Sequence, residues 1–343
     1  MIYNQWYVIL ETKELKKQKP LKVKRLGEEL SLWRDEDGNA CCIADKCCHR
    51  GVSLSCGKVI NGKLECPFHG FIYDKTGMVT TIPANGKNSP VPETMKVKSY
   101  KIFEDFGLIW IWWGDEEKIN EDPFFFKELK DFSYSTFKDN WNVHYSRAVE
   151  NQLDVVHLPF VHRTTIGRGN KTLINEPVVI REKELITFYV NNIVDDGKTI
   201  PLKTDEIKDY KRLFHLQFHY PNIWQNFISD KIRAFAAFVP IDEENTIVYI
   251  RYYQKLIKIP LLKQLMNYIG KITSVVILRQ DKRVVVTQSP KKSGLKIGEH
   301  LIMGDKPIIE YRKHRQELID NDKENPAHNN IGFKAQLSQK KRQ

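Results

Sequence analysis

No apolar run in this chain reaches the roughly eighteen residues that a membrane-spanning helix needs. The densest, "GLIWIWWG" at 107–114, has the length of a strand. No membrane partner is therefore expected. The opening "MIYNQWYVILETKELKK" lacks a basic start followed by an apolar stretch, so no secretory leader is expected either. Six cysteines among 343 residues are too few for a disulfide scaffold, and the cytoplasm is the expected compartment. Acidic side chains are in deficit, 43 against 54 Lys and Arg, which leaves a net charge of +11. No Lys/Arg block is interleaved with aromatics in a nucleic-acid module, so no nucleic-acid partner is expected. The basic residues are scattered, and part of the excess sits in the C-terminal "KAQLSQKKRQ", which reads as disordered. Internal repeats and low-complexity segments are also missing.

What is present suits a packed protein of two domains. Fourteen Tyr, seventeen Phe and seven Trp supply bulk for a core or an apolar pocket. From Tyr3 to Asp115 the segments "WYVIL", "LSLWRD", "KLECPFHGFIYD", "VKSYKIFED" and "GLIWIWWGD" are short, β-branched or aromatic, and separated by turn residues. They predict an all-β domain over 1–115. The acidic, proline-containing "DEEKINEDPFFFKELKD" opens a linker over 116–139. The second domain, 140–320, mixes a helix over Asn140 to His157 with antiparallel strands in "ELITFYVNNIV", "RLFHLQFHYPNIWQNFI", "IRAFAAFVPID" and "NTIVYIRYYQKL". Two later helices are expected, one over "LLKQLMNYIGKITSVVILRQDKRVVVTQ" and an amphipathic one over "KPIIEYRKHRQELIDND". A polar tail fills 321–343. The fold class is α+β.

The cysteines are not spread evenly. "DKCCHRGVSLSCGKVINGKLECPFHGF" (45–71) holds Cys47-x-His49 and, sixteen residues on, Cys66-x-x-His69. Structural zinc sites pair Cys with Cys and His with His. Here each short segment offers one thiolate and one imidazole. That mixture suits a two-iron, two-sulfide cluster with two Cys on one iron and two His on the other. Gly51, Pro67 and Gly70 would supply the turns.

At this point the stretch resembles the Rieske iron–sulfur family: "CCHRG" looks like its C-x-H-R-G box and "CPFHGFIYD" like its C-P-x-H-G-aromatic box. By that resemblance Cys47, His49, Cys66 and His69 hold a [2Fe-2S] cluster. The family's high-potential branch has a bracing disulfide where this chain has Val52 and Phe68. The cluster is thus expected toward the lower end of the roughly −150 to +300 mV range of such centres. Cys41, Cys42, Cys48 and Cys56 read as buried small apolar residues.

A second cluster of ligands lies in "ENQLDVVHLPFVHRTTIG" (150–167). Asp154 and His157 are three apart and would share a helix face. Pro159 disfavours helix at Leu158, so the helix should stop there and let His162 swing back. Two imidazoles and a carboxylate with open positions make the facial site of non-haem Fe(II) oxygenases. The segment resembles the N-x-x-D-x-x-H-x-x-x-x-H box of Rieske oxygenases, matched by Asn151, Asp154, His157 and His162. The resemblance makes both histidines ligands of a mononuclear iron. It makes Asp154 a bridge from His157 to cluster His69 of a neighbouring subunit. "ILRQDKRVVVTQSP" resembles the family's later segment and points to Asp281 as third ligand, with Gln288 closing the pattern; Gln280 stands where the family often has an acid. Asp305 is the runner-up, otherwise a helix N-cap. His144, His215 and His219 read as satisfied core histidines.

The resemblance is closest to shorter oxygenases of the vanillate demethylase, pheophorbide a oxygenase and choline monooxygenase kind. It implies a helix-grip second domain, a homotrimer, and a monooxygenase or dioxygenase acting on an organic substrate and O2. Electrons would come from NAD(P)H through a separate reductase or ferredoxin. Phe214, Phe218, Trp224, Phe227, Phe235 and Tyr252 are candidate pocket residues. The competing readings are an electron carrier, which explains 1–115 but not 151–162, and a degenerate relative with an empty second site.

Overall fold

The structure is a computed structural model that describes residues 1–323; the basic stretch read as disordered lies outside the described residues. The first part is all-β. Gln5–Glu11 pairs with Leu108–Trp113, which pairs with Ile102–Asp105. Leu21–Arg25, Glu28–Arg34 and Ala40–Ala44 form a second antiparallel sheet. A third, four-stranded sheet spans 58–81. Its first hairpin turns on Asn61-Gly62, both at positive φ (46° and 65°), the backbone a two-residue hairpin of this kind requires.

The second part is a seven-stranded antiparallel sheet. From one edge the strands are Ser133–Trp141, Thr246–Gln254, Ile232–Pro240, Ile223–Ser229, Phe214–His219, Leu185–Val190 and Val178–Glu182. Among the described residues four helices accompany it: α1 (Tyr145–Leu153), α2 (Leu158–Val161), α3 (Pro260–Val285) and α4 (Lys306–Lys323). Leu185–Val190 alternates strictly, with Ile186, Phe188 and Val190 buried, as a strand with one covered face should. Thr246–Gln254 is buried on both faces, because α3 lies on one side and the first domain on the other. Gly270 sets how near α3 comes. A Cβ there would lie 2.1 Å from the Tyr252 ring, so only glycine permits this approach.

Three expectations need correction. The linker is not a free tether: Phe125, Phe126 and Leu129 are buried between Trp110 of the first domain and Phe235 and Tyr253 of the sheet. Its last third is strand Ser133–Trp141, an edge of the large sheet, because its residues pair along the full length of Thr246–Gln254. The helix expected over Asn140 to His157 is α1 alone. It starts at Tyr145, capped by the His144 ring on Ser146 N–H, and stops at Leu153. The expected tail start at 321 falls inside α4, which runs to Lys323; the rest of that tail lies outside the described residues.

The domains are locked by charge as well as by apolar burial. Arg251, fully buried, donates through Nε to Glu11 Oε1 at 2.9 Å. Its other nitrogens reach the carbonyls of Phe106 and Gly107. Removing one partner leaves a buried charge uncompensated. Arg251→Leu should therefore cost about 3–5 kcal/mol in chemical denaturation. Glu11→Leu combined with Arg251→Met should recover a large part of that loss.

Candidate metal centres

The first candidate centre sits between two loops of the first domain. Each loop closes on itself through a glycine: Gly51 N–H donates to the Cys47 carbonyl and Gly70 N–H to the Cys66 carbonyl, both glycines being at positive φ. The closures bring the Cys47 and Cys66 sulfurs to 3.5 Å and the His49 and His69 ring centres to 4.6 Å. The thiols are buried while His49 is exposed and His69 half-buried. A cluster with a sulfur-bound inner iron and an imidazole-bound outer iron fits that gradient. Tyr73 reaches the same place. Its phenol oxygen accepts from Cys48 N–H and lies 3.1 Å from Cys47 Sγ. Burial pushes that phenol well above its ordinary pKa, so it keeps its proton beside the Cys47 and Cys48 sulfurs. Cys41 and Cys42 are buried as expected, but Cys48, on the open loop, is half-buried and Cys56, at the end of a short 3-10 helix over Leu54–Cys56, is exposed.

The second centre is assembled from α1, α2 and α3. Asp154 ends α1 by turning its carboxylate onto the backbone N–H groups of Val156 and His157. That turn breaks the helix earlier than Pro159 would. Pro159 instead starts α2, where its missing N–H costs nothing. One turn of α2 then carries the chain to His162. The His157 and His162 rings lie 5.1 Å apart. Asp281 projects from α3 between them, with Oδ1 at 3.4 Å from His157 Nε2 and 2.9 Å from His162 Nε2. The three donor atoms lie within 4.8 Å of one another, and His162 and Asp281 are only 1% and 2% exposed.

A buried carboxylate among imidazoles is a receptor for positive charge. Burial alone would lower His157, but the Asp154 and Asp281 carboxylates outweigh it and bring it up to about 9. Burial would raise Asp281, but the two histidines hold it below the carboxylate range. His157 Nδ1 is buried and lacks a hydrogen bond; Asp154 Oδ1 is 3.6 Å away. This donor set fits a divalent cation such as Fe(II).

Two glutamines complete the site, and the sequence patterns did not assign them. Gln152 and Asn151 donate to the two oxygens of Asp281, each at 3.4 Å. Gln280 Oε1 accepts from His162 Nδ1 at 2.8 Å and from the Thr165 hydroxyl at 2.9 Å. With the proton on Nδ1, Nε2 of His162 is left free for a metal. The only visible sign was that Gln280 stands where an acid was expected. Asp305 is not brought to this site: it caps Ile302 N–H ahead of α4. His144 caps α1 through Nδ1 while its buried Nε2 has no hydrogen bond, His215 packs on Tyr189 and Phe227, and His219 stacks on Phe124. Gln288 follows α3, away from the cavity.

The triad forms one end of a cavity of about 750 Å³. Val190, Leu216, Trp224, Ala234, Ile250 and Tyr252 give it apolar walls, and Asn192 and Asn226 add polar groups. Of the expected aromatics Phe214, Trp224 and Tyr252 line it. Phe227 and Phe235 do not, because they sit on odd strand positions whose side chains face the other side of the sheet. Phe218 is buried against Tyr220 and Tyr311.

Comparison with known proteins places two family models on the chain. Residues 5–101 match the Rieske [2Fe-2S] domain, and 141–321 match the vanillate O-demethylase oxygenase C-terminal domain. The toluene-4-sulfonate monooxygenase system iron-sulfur subunit TsaM1 of Comamonas testosteroni is 30% identical over 184 residues, covering 53% of this chain and 52% of that protein. The chloroplastic chlorophyllide a oxygenase of Chlamydomonas reinhardtii is 33% identical over 167 residues, 48% of this chain and 25% of that protein. The aligned stretch thus spans about half or less of the length of these relatives. The methylxanthine N1-demethylase NdmA of Pseudomonas putida is 26% identical over 327 residues, 93% of this chain and 90% of that protein. Its solved structure superposes with a TM-score of 0.78 at 25% identity, covering 94% of this chain and 92% of that one.

Two substitutions test the centres separately. Gln280→Ala should weaken ferrous-ion retention against a chelator about 10–100-fold, Gln280→Glu should restore it, and the cluster's visible spectrum should survive both. Tyr73→Phe should lower the cluster potential in a spectroelectrochemical titration by about 40 mV, the one-electron equivalent of a hydrogen bond worth about 1 kcal/mol.

Proposed function

The chain belongs to the Rieske non-haem iron oxygenases, and on that premise we propose that it is the oxygenase component of a multicomponent enzyme. It would use O2 and externally supplied electrons to hydroxylate or oxidatively dealkylate an organic substrate. The observation that carries this reading is the His157, His162 and Asp281 triad at the end of a largely apolar cavity. An electron carrier would need neither.

In this reading Cys47, His49, Cys66 and His69 hold the cluster, and His157, His162 and Asp281 hold the mononuclear iron. When bound, these groups supply one-electron storage and a ferrous ion able to activate O2. The chain's own residues do the positioning. Asn151 and Gln152 hold the Asp281 carboxylate in place through its two oxygens. Gln280 keeps the Nδ1 proton on His162. Asp154, pinned by two backbone amides and next to His157, is the bridge toward the cluster histidine of a neighbouring copy. That role favours a head-to-tail ring, a trimer in the related family. The apolar walls would exclude water beside a bound metal and so limit side reactions there. Asn192 and Asn226 would orient one polar group of the substrate. The N-demethylase activity in the name of NdmA favours N- or O-dealkylation, in which a hydroxylated carbon beside a heteroatom collapses. A ferredoxin or reductase passing electrons from NAD(P)H completes the set, and a cytoplasmic enzyme working as a monooxygenase fits best. We assign the cluster role to 1–115 and the catalytic role to 140–320.

Reconstitution with iron and sulfide under anaerobic conditions, followed by reduction and a substrate panel, tests the reading. Wild-type protein should hold three irons per chain and show substrate-dependent O2 uptake. His157→Ala and His162→Ala should hold two, keep the cluster spectrum and lose at least 100-fold of the uptake, on the order of a missing catalytic group. Two irons per chain in the wild type would leave only the carrier and the degenerate relative with an empty second site.

A further inference from the structure

α3 has two apolar sides, and only one of them is covered. Gly270, Leu278, Asp281 and Val285 face the protein and are buried. Leu261, Leu265, Tyr268, Ile272 and Val276 repeat at three- and four-residue intervals on another side and are 43–77% exposed. Ile259, just before the helix, is 62% exposed. An apolar stripe of this length on an outer surface marks an interaction site.

The charge around the stripe says what kind. Residues 252–280 contain five Lys and Arg and no Asp or Glu. Lys255, Lys258, Lys263 and Lys271 all lie on or just before this helix. The stripe also runs into the cavity: Ile269 lines the cavity and is itself half exposed, as are Ile228 and Phe214. Exposed Arg168, Lys171 and Arg212 border the same opening. An apolar face on a helix whose solvent-facing charges are all cations fits a helix lying in the interface of an anionic bilayer. A second copy meeting this face with its own would set like charges together, and a copy meeting it head to tail with a different face would show as a loss of assembly when the face is made polar. No helix among the described residues is long and apolar enough to cross a membrane, so the helix would lie on the surface.

We propose that the outer face of α3 is a peripheral docking surface for an anionic lipid membrane, with the mouth of the cavity on the docked side. The surface stands independently of the oxygenase reading. That the cavity takes a lipid-dissolved organic substrate through this mouth rests on it.

Co-sedimentation of the full-length holoprotein with vesicles decides the matter without any turnover. Protein should partition onto vesicles of phosphatidylcholine mixed with phosphatidylglycerol, less onto phosphatidylcholine alone, and less with added salt. Leu261→Gln/Leu265→Gln/Ile272→Gln and Lys263→Glu/Lys271→Glu should each weaken the partition roughly tenfold or more while keeping the cluster's visible spectrum. Equal failure of wild-type protein on both vesicle types would overturn the proposal. So would unchanged binding by folded variants. A fall in sedimentation coefficient for the glutamine variant would also overturn it, since the face would then belong to a second copy.

Discussion

Everything in the catalytic half depends on one buried carboxylate. Asp281 is almost without solvent, yet two imidazoles and two amide side chains reach it. A carboxylate so placed is tolerable only with positive charge beside it. His157 supplies that in part by holding its proton more tightly, and a divalent cation would supply it fully. The rest of the architecture brings these groups together across more than one hundred residues of sequence. The α1 helix must break at Asp154, α2 must turn the chain once, and α3 must cross the sheet closely enough to deliver Asp281. The glycine at 270 allows that crossing, and Tyr252, which it lies against, is also a wall of the cavity.

The two metal regions were not equally legible. The cluster loops are short, and their ligands lie within 23 residues of each other, so spacing and turn chemistry carry most of the information. The all-β first domain and the antiparallel second sheet were readable from alternation and from turn residues. The helix around 140–157 was misjudged for a local reason. Helical periodicity continues past Leu153, but Asp154 takes two backbone amides for its own side chain and ends the helix. Asp281 was reachable only through resemblance, since no local pattern encodes a contact made across 119 positions from His162. Gln152 and Gln280 were invisible because amides carry no motif of their own.

The aromatic residues show a different limit. Composition cannot separate a pocket wall from a core. Strand parity can, once register is known. Trp224, Asn226 and Ile228 face the cavity, while Phe227 between them faces away against Arg233. Phe235 goes to the interdomain core for the same reason, and there it meets the connector that was read as a linker. The buried Arg251–Glu11 pair adds direction to this apolar seam, so the domains are fixed with respect to each other rather than strung together. A fixed pairing would suit the proposed electron path between copies, because transfer tolerates little variation in the separation of its centres.

The account stands or falls on a ferrous ion held by His157, His162 and Asp281 with positions left open. Anaerobic addition of nitric oxide to the Fe(II)-loaded protein, followed by EPR, probes that property directly. The account predicts the half-integer high-spin signal of a ferrous nitrosyl site in wild-type protein. A spectrum containing no such signal in fully iron-loaded protein would contradict it.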